Sequence, residues 1–152
     1  MRIYVIGFMG TDRVSVARKM ARKKGYEFRH MDEEIQERDG RTILRMCMTM
    51  GEHEYRNKEY EMLREYDQMD DIVVACGEGV VHDKQCSDFL RRGRVVVVRE
   101  DPDIMWERAR QDDSLPYAFL RTGSPEERKR KFMELYQIRK PLYAQFKEEE
   151  ND

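Results

Sequence analysis

The fold is decided by residues 2–15, which read RIYVIGFMGTDRVS. A short apolar run ends in glycine, and a glycine-containing loop then leads into a stretch with Val14, Ala17, Met20 and Ala21 at helical spacing. A strand, a glycine loop and a helix in this order are the setting of a phosphate-binding loop, whose full pattern is G-x-x-x-x-G-K-[ST]. In such a loop the backbone N–H groups at the start of the helix point towards phosphate oxygens.

This loop matches the pattern only in part. Its candidate nucleotide-binding residues are Gly7, Gly10, Thr11, Asp12, Arg13 and Ser15. Asp12 stands at the second motif glycine and adds an anion where a polyanion should bind, whereas Arg13 keeps the positive charge of the motif lysine on a bulkier head. Val14 replaces the hydroxyl that should bind magnesium, and Ser15 carries a hydroxyl one position too late. The loop alone leaves open a glycine turn that serves only to start an amphipathic helix.

Further along the chain, apolar runs alternate with helical patterns. The runs at 26–31, 72–76 and 95–98 are predicted strands, and the last of these, the most apolar, is predicted to be a central strand. The predicted helix starts are Thr42, Asp83, Asp101 and Ser124. Pro141 is predicted to kink or break the last helix. The alternation predicts an α/β fold, a parallel sheet of four strands with helices on both faces, in which ligands bind at the carboxyl ends of the strands.

The composition bounds the class of protein. The 152 residues are the size of one domain, which we expect to span 1–152. The formal net charge of -2 gives no reason to expect nucleic acid or an anionic membrane as a partner, and no apolar run approaches the roughly 20 residues that span a bilayer. The chain begins with a strand-like run rather than a signal peptide, and its three cysteines include no C-x-x-C pair, so we expect free thiols in the cytoplasm.

Five blocks of the sequence, in matching order and spacing from residue 1 to about 147, resemble the shikimate kinase family. They are IYVIGFMG from residue 3, MDEEIQERDGRTI from 31, GEHEYRNKE from 51, VVACGEGVV from 73 and IRKPLY from 138. The resemblance implies a three-layer P-loop kinase fold with a lid at about 112–123. It also implies transfer of the γ-phosphoryl group of ATP, with Mg²⁺, to the 3-hydroxyl of shikimate, a reaction of aromatic amino-acid biosynthesis.

The resemblance also suggests roles for single residues. The candidate substrate-binding residues are Asp32, Arg56, Gly77, Gly79 and Arg139, and Arg108 is a further candidate nucleotide-binding residue by similarity to an arginine that stacks on adenine. Asp32 matches the carboxylate that binds the shikimate hydroxyls and accepts a proton, so Asp32 and Arg13 are the candidate catalytic residues. Arg56 and Arg139 match two arginines that clamp the shikimate carboxylate, and Glu59 matches the acid that orients the first of them.

This sequence departs from the family pattern mainly on the nucleotide side. His30 stands where a strand-end Asp should support magnesium, and Leu115 stands where a lid arginine should reach the transferring phosphate. Arg121 could replace that arginine only if the lid folded differently. Glu78 interrupts the glycine loop, where it should crowd the pocket and add negative charge. We therefore assign no metal ligand and expect ATP and Mg²⁺ to bind poorly.

The family pattern continues beyond its R-x-P-L-Y segment with a fifth strand and a last helix, whereas this sequence ends at Asp152. We therefore expect the fifth strand to be missing, the acidic tail at 148–152 to be frayed, and the protein to be a monomer or a weak dimer. Whether another chain supplies a strand is open.

Three hypotheses follow. The favoured one is a shikimate kinase-like protein whose phosphoryl transfer is impaired or lost while binding of a shikimate-like acid is partly kept. The second is an active shikimate kinase with a non-standard P-loop, in which Arg13 does the work of the lysine. The third is a P-loop kinase for another small hydroxy acid, with a pocket reshaped by Glu78. Activity, and with it the status of the chain as an enzyme, is therefore uncertain at this point.

Overall fold

The computed structural model describes residues 1–146 and contains four strands and seven α-helices within them. The strands are β1 (Arg2–Ile6), β2 (Glu27–His30), β3 (Ile72–Ala75) and β4 (Arg94–Val97). The helices are α1 (Arg13–Lys24), α2 (Met31–Asp39), α3 (Ile43–Met50), α4 (Glu52–Tyr66), α5 (Lys84–Leu90), α6 (Pro102–Ala109) and α7 (Pro125–Ala144). Short 3₁₀ turns lie at Val80–His82 and Ala118–Leu120. The tail at 148–152 lies outside the described residues.

The four strands form one parallel sheet in the order β2-β3-β1-β4, as the alternating pattern predicts. The prediction that the run at 95–98 is a central strand was wrong, because β4 pairs with β1 alone and lies at an edge of this sheet. Its apolar character comes from helices packed on both of its faces and not from strands on both sides. Because the strands are parallel, their carboxyl ends all lie at one end of the sheet, where the loops after Ile6, His30, Ala75 and Val97 come together.

Alternate residues of the strands pack into two separate cores, which makes the sheet the middle layer of three. Ile3 and Val5 face α1 with its buried Ala17, Met20 and Ala21. Tyr4 and Ile6 face the opposite side, where the buried residues of the remaining helices pack. The prediction of helices on both faces is thus confirmed.

Side chains predicted to begin helices do so. Thr42, Asp83, Asp101 and Ser124 each accept a hydrogen bond from a backbone N–H in the first turn of α3, α5, α6 and α7. Pro141 was predicted to kink or break the last helix; α7 continues through it to Ala144, so there is no break, and a kink stays a prediction. A proline removes one backbone donor and crowds the carbonyl four residues before it, but buried side chains on both sides, Phe132, Arg139 and Tyr143, anchor α7.

The cysteines are free thiols, as predicted. Burial raises the pKa of Cys47 to about 11 and that of Cys86 to about 12, and it raises the pKa of Cys76 well above its ordinary value. All three groups are therefore protonated and weakly nucleophilic at neutral pH. Separately, among residues 1–146 no helix has the length and apolar composition needed to cross a bilayer.

Gly10 is a position that only glycine fits, and this generates a stability prediction. Its φ of +85° is strained for any other residue, and a Cβ would overlap the backbone carbonyl of Met105 in α6. Gly40 has a similar φ of +87° with open space around it. We expect Gly40→Ala to lower the free energy of unfolding by about 1–2 kcal/mol and Gly10→Ala to lower it by a further ~1–3 kcal/mol, because a backbone must move.

Urea unfolding of the two variants measures this difference directly. Equal destabilisation would mean that the loop after β1 does not pack against α6 as described.

Candidate ligand and nucleotide site

The loop between β1 and α1 is a closed turn that its own side chains hold in place. The Thr11 hydroxyl donates to the Phe8 carbonyl at 2.7 Å, and the Thr11 N–H donates to the same carbonyl at 3.2 Å. Gly7 is tightly packed, since a Cβ there would lie 2.7 Å from the Thr11 hydroxyl and 2.9 Å from the Val98 carbonyl. The loop therefore brings the N-terminus of α1 to the carboxyl edge of the sheet, which is the geometry that binds phosphate groups.

Arg13 is folded back onto this loop. Its Nη1 donates to the Phe8 carbonyl at 2.7 Å, to the Gly7 carbonyl at 3.2 Å and to the Thr11 hydroxyl at 3.1 Å. Its Nε donates to the carbonyl of Cys76, at the end of β3, at 3.2 Å. The guanidinium thus ties the first loop to the end of the neighbouring strand, and a phosphate would have to compete with backbone carbonyls for it.

The remaining loop residues fit a phosphate better than a metal. Asp12 is exposed, makes no side-chain cap on α1 and does not line the cleft beside the loop, so its carboxylate does not enter the phosphate site. Val14 lines that cleft with a hydrocarbon side chain, and His30 pairs with Glu33 at 3.1 Å. Magnesium prefers oxygen ligands, and residues 1–146 contain no group of three or more His, Cys, Asp or Glu that could hold a metal. Val14 and His30 therefore offer Mg²⁺ no oxygen ligand at the two positions where the family pattern has one, whereas the carboxylates of Asp32 and Glu33 line the same cleft.

Asp32 lies in the first turn of α2, just after β2, and is partly buried. The Tyr55 hydroxyl donates to its Oδ1 at 3.4 Å. Burial raises the pKa of Asp32 above its ordinary value, while Arg13 and His30 nearby lower it less. A carboxylate whose pKa moves towards neutrality is a better proton acceptor for a hydroxyl.

Arg56 and Glu59 form a buried ion pair on α4. Arg56 Nη1 donates to Glu59 Oε1 at 2.5 Å, and its Nη2 donates to Glu52 Oε1 at 3.1 Å. Burial raises the pKa of Glu59 against the opposing attraction of Arg56. Gly77 and Gly79 lie against this pair. A Cβ on Gly77 would overlap Glu59, and one on Gly79 would overlap the Arg56 guanidinium, so the loop after β3 can approach only without side chains at these two positions.

Glu78, between those two glycines, points inward and is bound from three directions. Arg139 Nη1 donates to Glu78 Oε2 at 2.8 Å, and the Tyr117 hydroxyl donates to Oε1 at 2.5 Å. Arg139 Nη2 also donates to the Tyr117 hydroxyl at 3.0 Å, and the Tyr143 hydroxyl donates to the Glu78 backbone carbonyl at 2.7 Å. Burial would raise the pKa of Glu78, but Arg139 and Arg56 hold the pKa below its ordinary value. Glu78 is therefore an ionised, buried carboxylate.

Two cavities meet at Asp32 and Arg13, which line both of them. The larger, about 390 Å³, is the cleft between the P-loop and the lid and includes Gly10, Thr11 and Arg108. The smaller, about 80 Å³, is lined on its far side by Arg56, Glu59, Glu78 and Gly79. Arg139 does not line it, because Glu78 lies between Arg139 and the space. The structure thus brings Asp32 and Arg56 to one pocket and separates Arg139 from it.

The lid contains no cation directed at the cleft. Leu115 and Pro116 line the small cavity, whereas Arg121 turns away and donates to the backbone carbonyls of Asp113 and Leu115 at 2.6 Å each. Arg121 therefore orders the lid, and the idea that it replaces the lid arginine finds no support in this geometry. Arg108 lines the cleft and donates to the Gly10 carbonyl at 3.1 Å. Ser15, partly buried on α1, lines neither cavity.

Sequence reasoning missed Tyr55, which donates to Asp32, and the two residues that hold Glu78, Tyr117 and Tyr143. Tyr117 lies in a loop without periodicity, so no pattern marks which way it points. Tyr143 is four residues after Arg139 and therefore on the same face of α7, a signal that could have placed it beside the glycine loop. Both tyrosines hold Glu78, whose inward position the sequence suggests only as crowding.

The parallel sheet, the glycine loop at the start of α1 and the pocket at the strand ends define a P-loop kinase fold. A family model described as shikimate kinase matches residues 9–152. The chain is 34% identical over 146 residues to a shikimate kinase of Burkholderia thailandensis, which is 95% of this chain and 77% of that one. This chain belongs to the shikimate kinase family.

Two further comparisons agree with this family assignment. A solved structure described as shikimate kinase from Acinetobacter baumannii in complex with shikimate superimposes with a TM-score of 0.87 at 31% identity, over 95% of this chain and 79% of that chain. A bifunctional shikimate kinase/3-dehydroquinate synthase of Thermotoga maritima is 31% identical over 147 residues. The chain spans 28% of the length of that bifunctional relative.

The Glu78–Arg139 pair generates a second stability prediction. Arg139→Met removes the cation from a buried carboxylate, and breaking a buried pair in this way destabilises a protein by about 3–5 kcal/mol. The matched control is Arg130→Met on the same helix, whose pair with Glu134 is exposed and contributes little. Urea unfolding of both variants should show a much larger loss for Arg139→Met. Similar losses would contradict the buried ion pair.

Proposed function

We propose that this chain is a shikimate kinase-like protein that binds a shikimate-type cyclic hydroxy acid, and that its phosphoryl transfer is impaired or lost. The observation that carries this proposal is that the expected side chains of the ligand side line a common pocket, whereas the nucleotide side lacks a metal-binding hydroxyl. Asp32 and Arg56 line a common pocket on the ligand side. On the nucleotide side, Arg13 is hydrogen-bonded to loop carbonyls and Val14 offers no metal ligand.

The ligand-side geometry fits a polyhydroxylated ring. Asp32 can accept hydrogen bonds from hydroxyl groups, and it sits where the small cavity joins the cleft beside the P-loop. A hydroxyl held by Asp32 would therefore face the N-terminus of α1. Arg56 lies at the opposite wall, where its Nη1 donates to Glu59 and its Nη2 donates to Glu52. By the family resemblance, the ligand carboxylate would lie towards Arg56, and it would reach Arg139 only if Glu78 moved aside.

An active shikimate kinase with a non-standard P-loop is the second candidate. It is favoured by one observation, that Asp32 and Arg13 line both cavities and so flank the point where an acceptor hydroxyl and a phosphate would meet. In either case we place the protein in the cytoplasm, on the ground of its free thiols. A kinase for another small hydroxy acid remains a hypothesis that a substrate panel tests.

The test combines binding and turnover. Calorimetry should detect shikimate binding to the wild-type protein, and Arg56→Ala should abolish it, because the pocket then loses its cation and leaves Glu59 unpaired. Arg45→Ala, an exposed position on α3, is the control. Mass spectrometry should detect no shikimate 3-phosphate, or only slow formation, with MgATP under conditions in which an active family member turns over.

Two results would decide against this account. Unchanged shikimate affinity in Arg56→Ala would remove the ligand assignment. Multiple turnovers that disappear in Asp32→Asn would make the second candidate correct, with Arg13 acting as the phosphate cation.

Repair of the P-loop gives a separate prediction. Combining Asp12→Gly, Arg13→Lys and Val14→Ser should raise the affinity for MgATP at least tenfold, because it restores a flexible loop, a slender cation and a hydroxyl ligand. The matched control carries Val14→Ala in place of Val14→Ser. Only the serine version should gain an affinity that depends on Mg²⁺. Equal, weak binding in all versions would show that the P-loop does not limit this protein.

A further inference from the structure

Glu78 occupies the place at which a ligand carboxylate would meet Arg139. Its carboxylate accepts hydrogen bonds from Arg139 and Tyr117, while its other side lines the small cavity that also contains Asp32 and Arg56. Arg139 is buried, with 3% of its side chain exposed, and it has no open path to that cavity. A ligand can therefore reach Arg139 only if Glu78 moves aside.

The charges of the pocket are already matched without a ligand. Arg139 pairs with Glu78 at 2.8 Å, and Arg56 pairs with Glu59 at 2.5 Å. An incoming carboxylate would add an anion next to Asp32, Glu59 and Glu78 and would find both arginines engaged. A buried charge without its own partner is strongly unfavourable. An uncharged ring of the same shape meets no such penalty.

The volume of the pocket shows how little space remains beside Glu78. The cavity measures about 80 Å³, whereas sites for small ligands generally measure roughly 300–1,000 Å³. The Glu78 side chain fills part of the missing space. Two tyrosines hold it there. The Tyr143 hydroxyl donates to the Glu78 backbone carbonyl, and the Tyr117 hydroxyl donates to its carboxylate. Its backbone is unstrained, because Asp71 is the one non-glycine residue with positive φ in the described part of the chain.

We propose that Glu78 is a specificity-determining residue whose carboxylate occupies the arginine clamp and competes with a ligand carboxylate, so that the pocket favours uncharged cyclic polyols over the corresponding acids. This inference rests on the proposed function for the identity of the ring. The competition itself concerns any carboxylate that reaches Arg139.

The first arm of the test compares two ligands that differ in charge, shikimate and its methyl ester. Their affinities are measured by calorimetry for the wild-type protein, Glu78→Gln and Glu78→Ala. The wild type should bind the ester more tightly than the acid. In Glu78→Ala the ratio of acid to ester affinity should rise at least tenfold. Glu78→Gln, which keeps the shape and removes the charge, should lie between them and separates charge from volume.

The second arm of the test uses no ring compound. Acetate is the fragment that Glu78→Ala deletes, so acetate should raise the thermal unfolding midpoint of Glu78→Ala and not that of the wild type. Sodium chloride at equal ionic strength and acetamide, its uncharged counterpart, are the controls for salt and for volume. The double variant with Glu78→Ala and Arg139→Met, which lacks the clamp cation, should not respond. This arm remains informative even where Glu78→Ala is marginally stable, because rescue is then easier to see.

The outcomes separate the two proposals. Selective acetate rescue together with the rise in the acid-to-ester ratio supports both. Selective rescue with no binding of either ring compound supports the occupied clamp and overturns the proposed function. An acid-to-ester ratio that is the same in all three proteins, or acetate that acts equally on all of them or on none, overturns the role of Glu78.

Discussion

The site is organised by one buried interaction, the ion pair between Glu78 and Arg139. It joins the loop after β3, which carries Glu78, to the last described helix, which carries Arg139, and through Tyr117 it also joins the lid. Parallel strands bring these segments together, because their carboxyl ends meet at one edge of the sheet. A buried carboxylate must have a cation and hydrogen-bond donors. The contacts of Glu78 therefore help to fix the lid and α7 relative to the glycine loop, beside the apolar packing of α7 around Phe132.

The P-loop also contains a charged side chain that is bound by the protein itself, here a cation. Arg13 is a cation placed where a polyanion would normally neutralise it, and without one it binds the carbonyls of Gly7, Phe8 and Cys76. Each half of the site thus contains a charged side chain whose hydrogen-bonding partners are other groups of the protein. Any phosphate that binds Arg13 or carboxylate that binds Arg139 therefore has to displace an existing contact.

Much of this could be predicted from the sequence, and the failures have physical causes. The strand–loop–helix order around Gly7 and Gly10, the four strands and the four caps follow from local rules that act within a few residues. The edge position of β4 could not be predicted, because an edge strand covered on both faces by helices is as apolar as a central one. The absence of a break in α7 at Pro141 has a related reason, since tertiary packing outweighs the local cost of a proline.

The candidate site, too, could be predicted only in part. Asp32, Arg56 and Glu59 line one pocket, and their role in ligand binding stays a prediction, whereas the separation of Arg139 from that pocket depends on the direction of a single side chain, Glu78. The central claim is that this side chain fills the clamp in the absence of ligand. A crystal structure of the ligand-free protein at high resolution tests it most directly. The account predicts the Glu78 carboxylate between Arg139 and Tyr117, whereas a Glu78 side chain turned to solvent, with water or a buffer anion on Arg139, would contradict it.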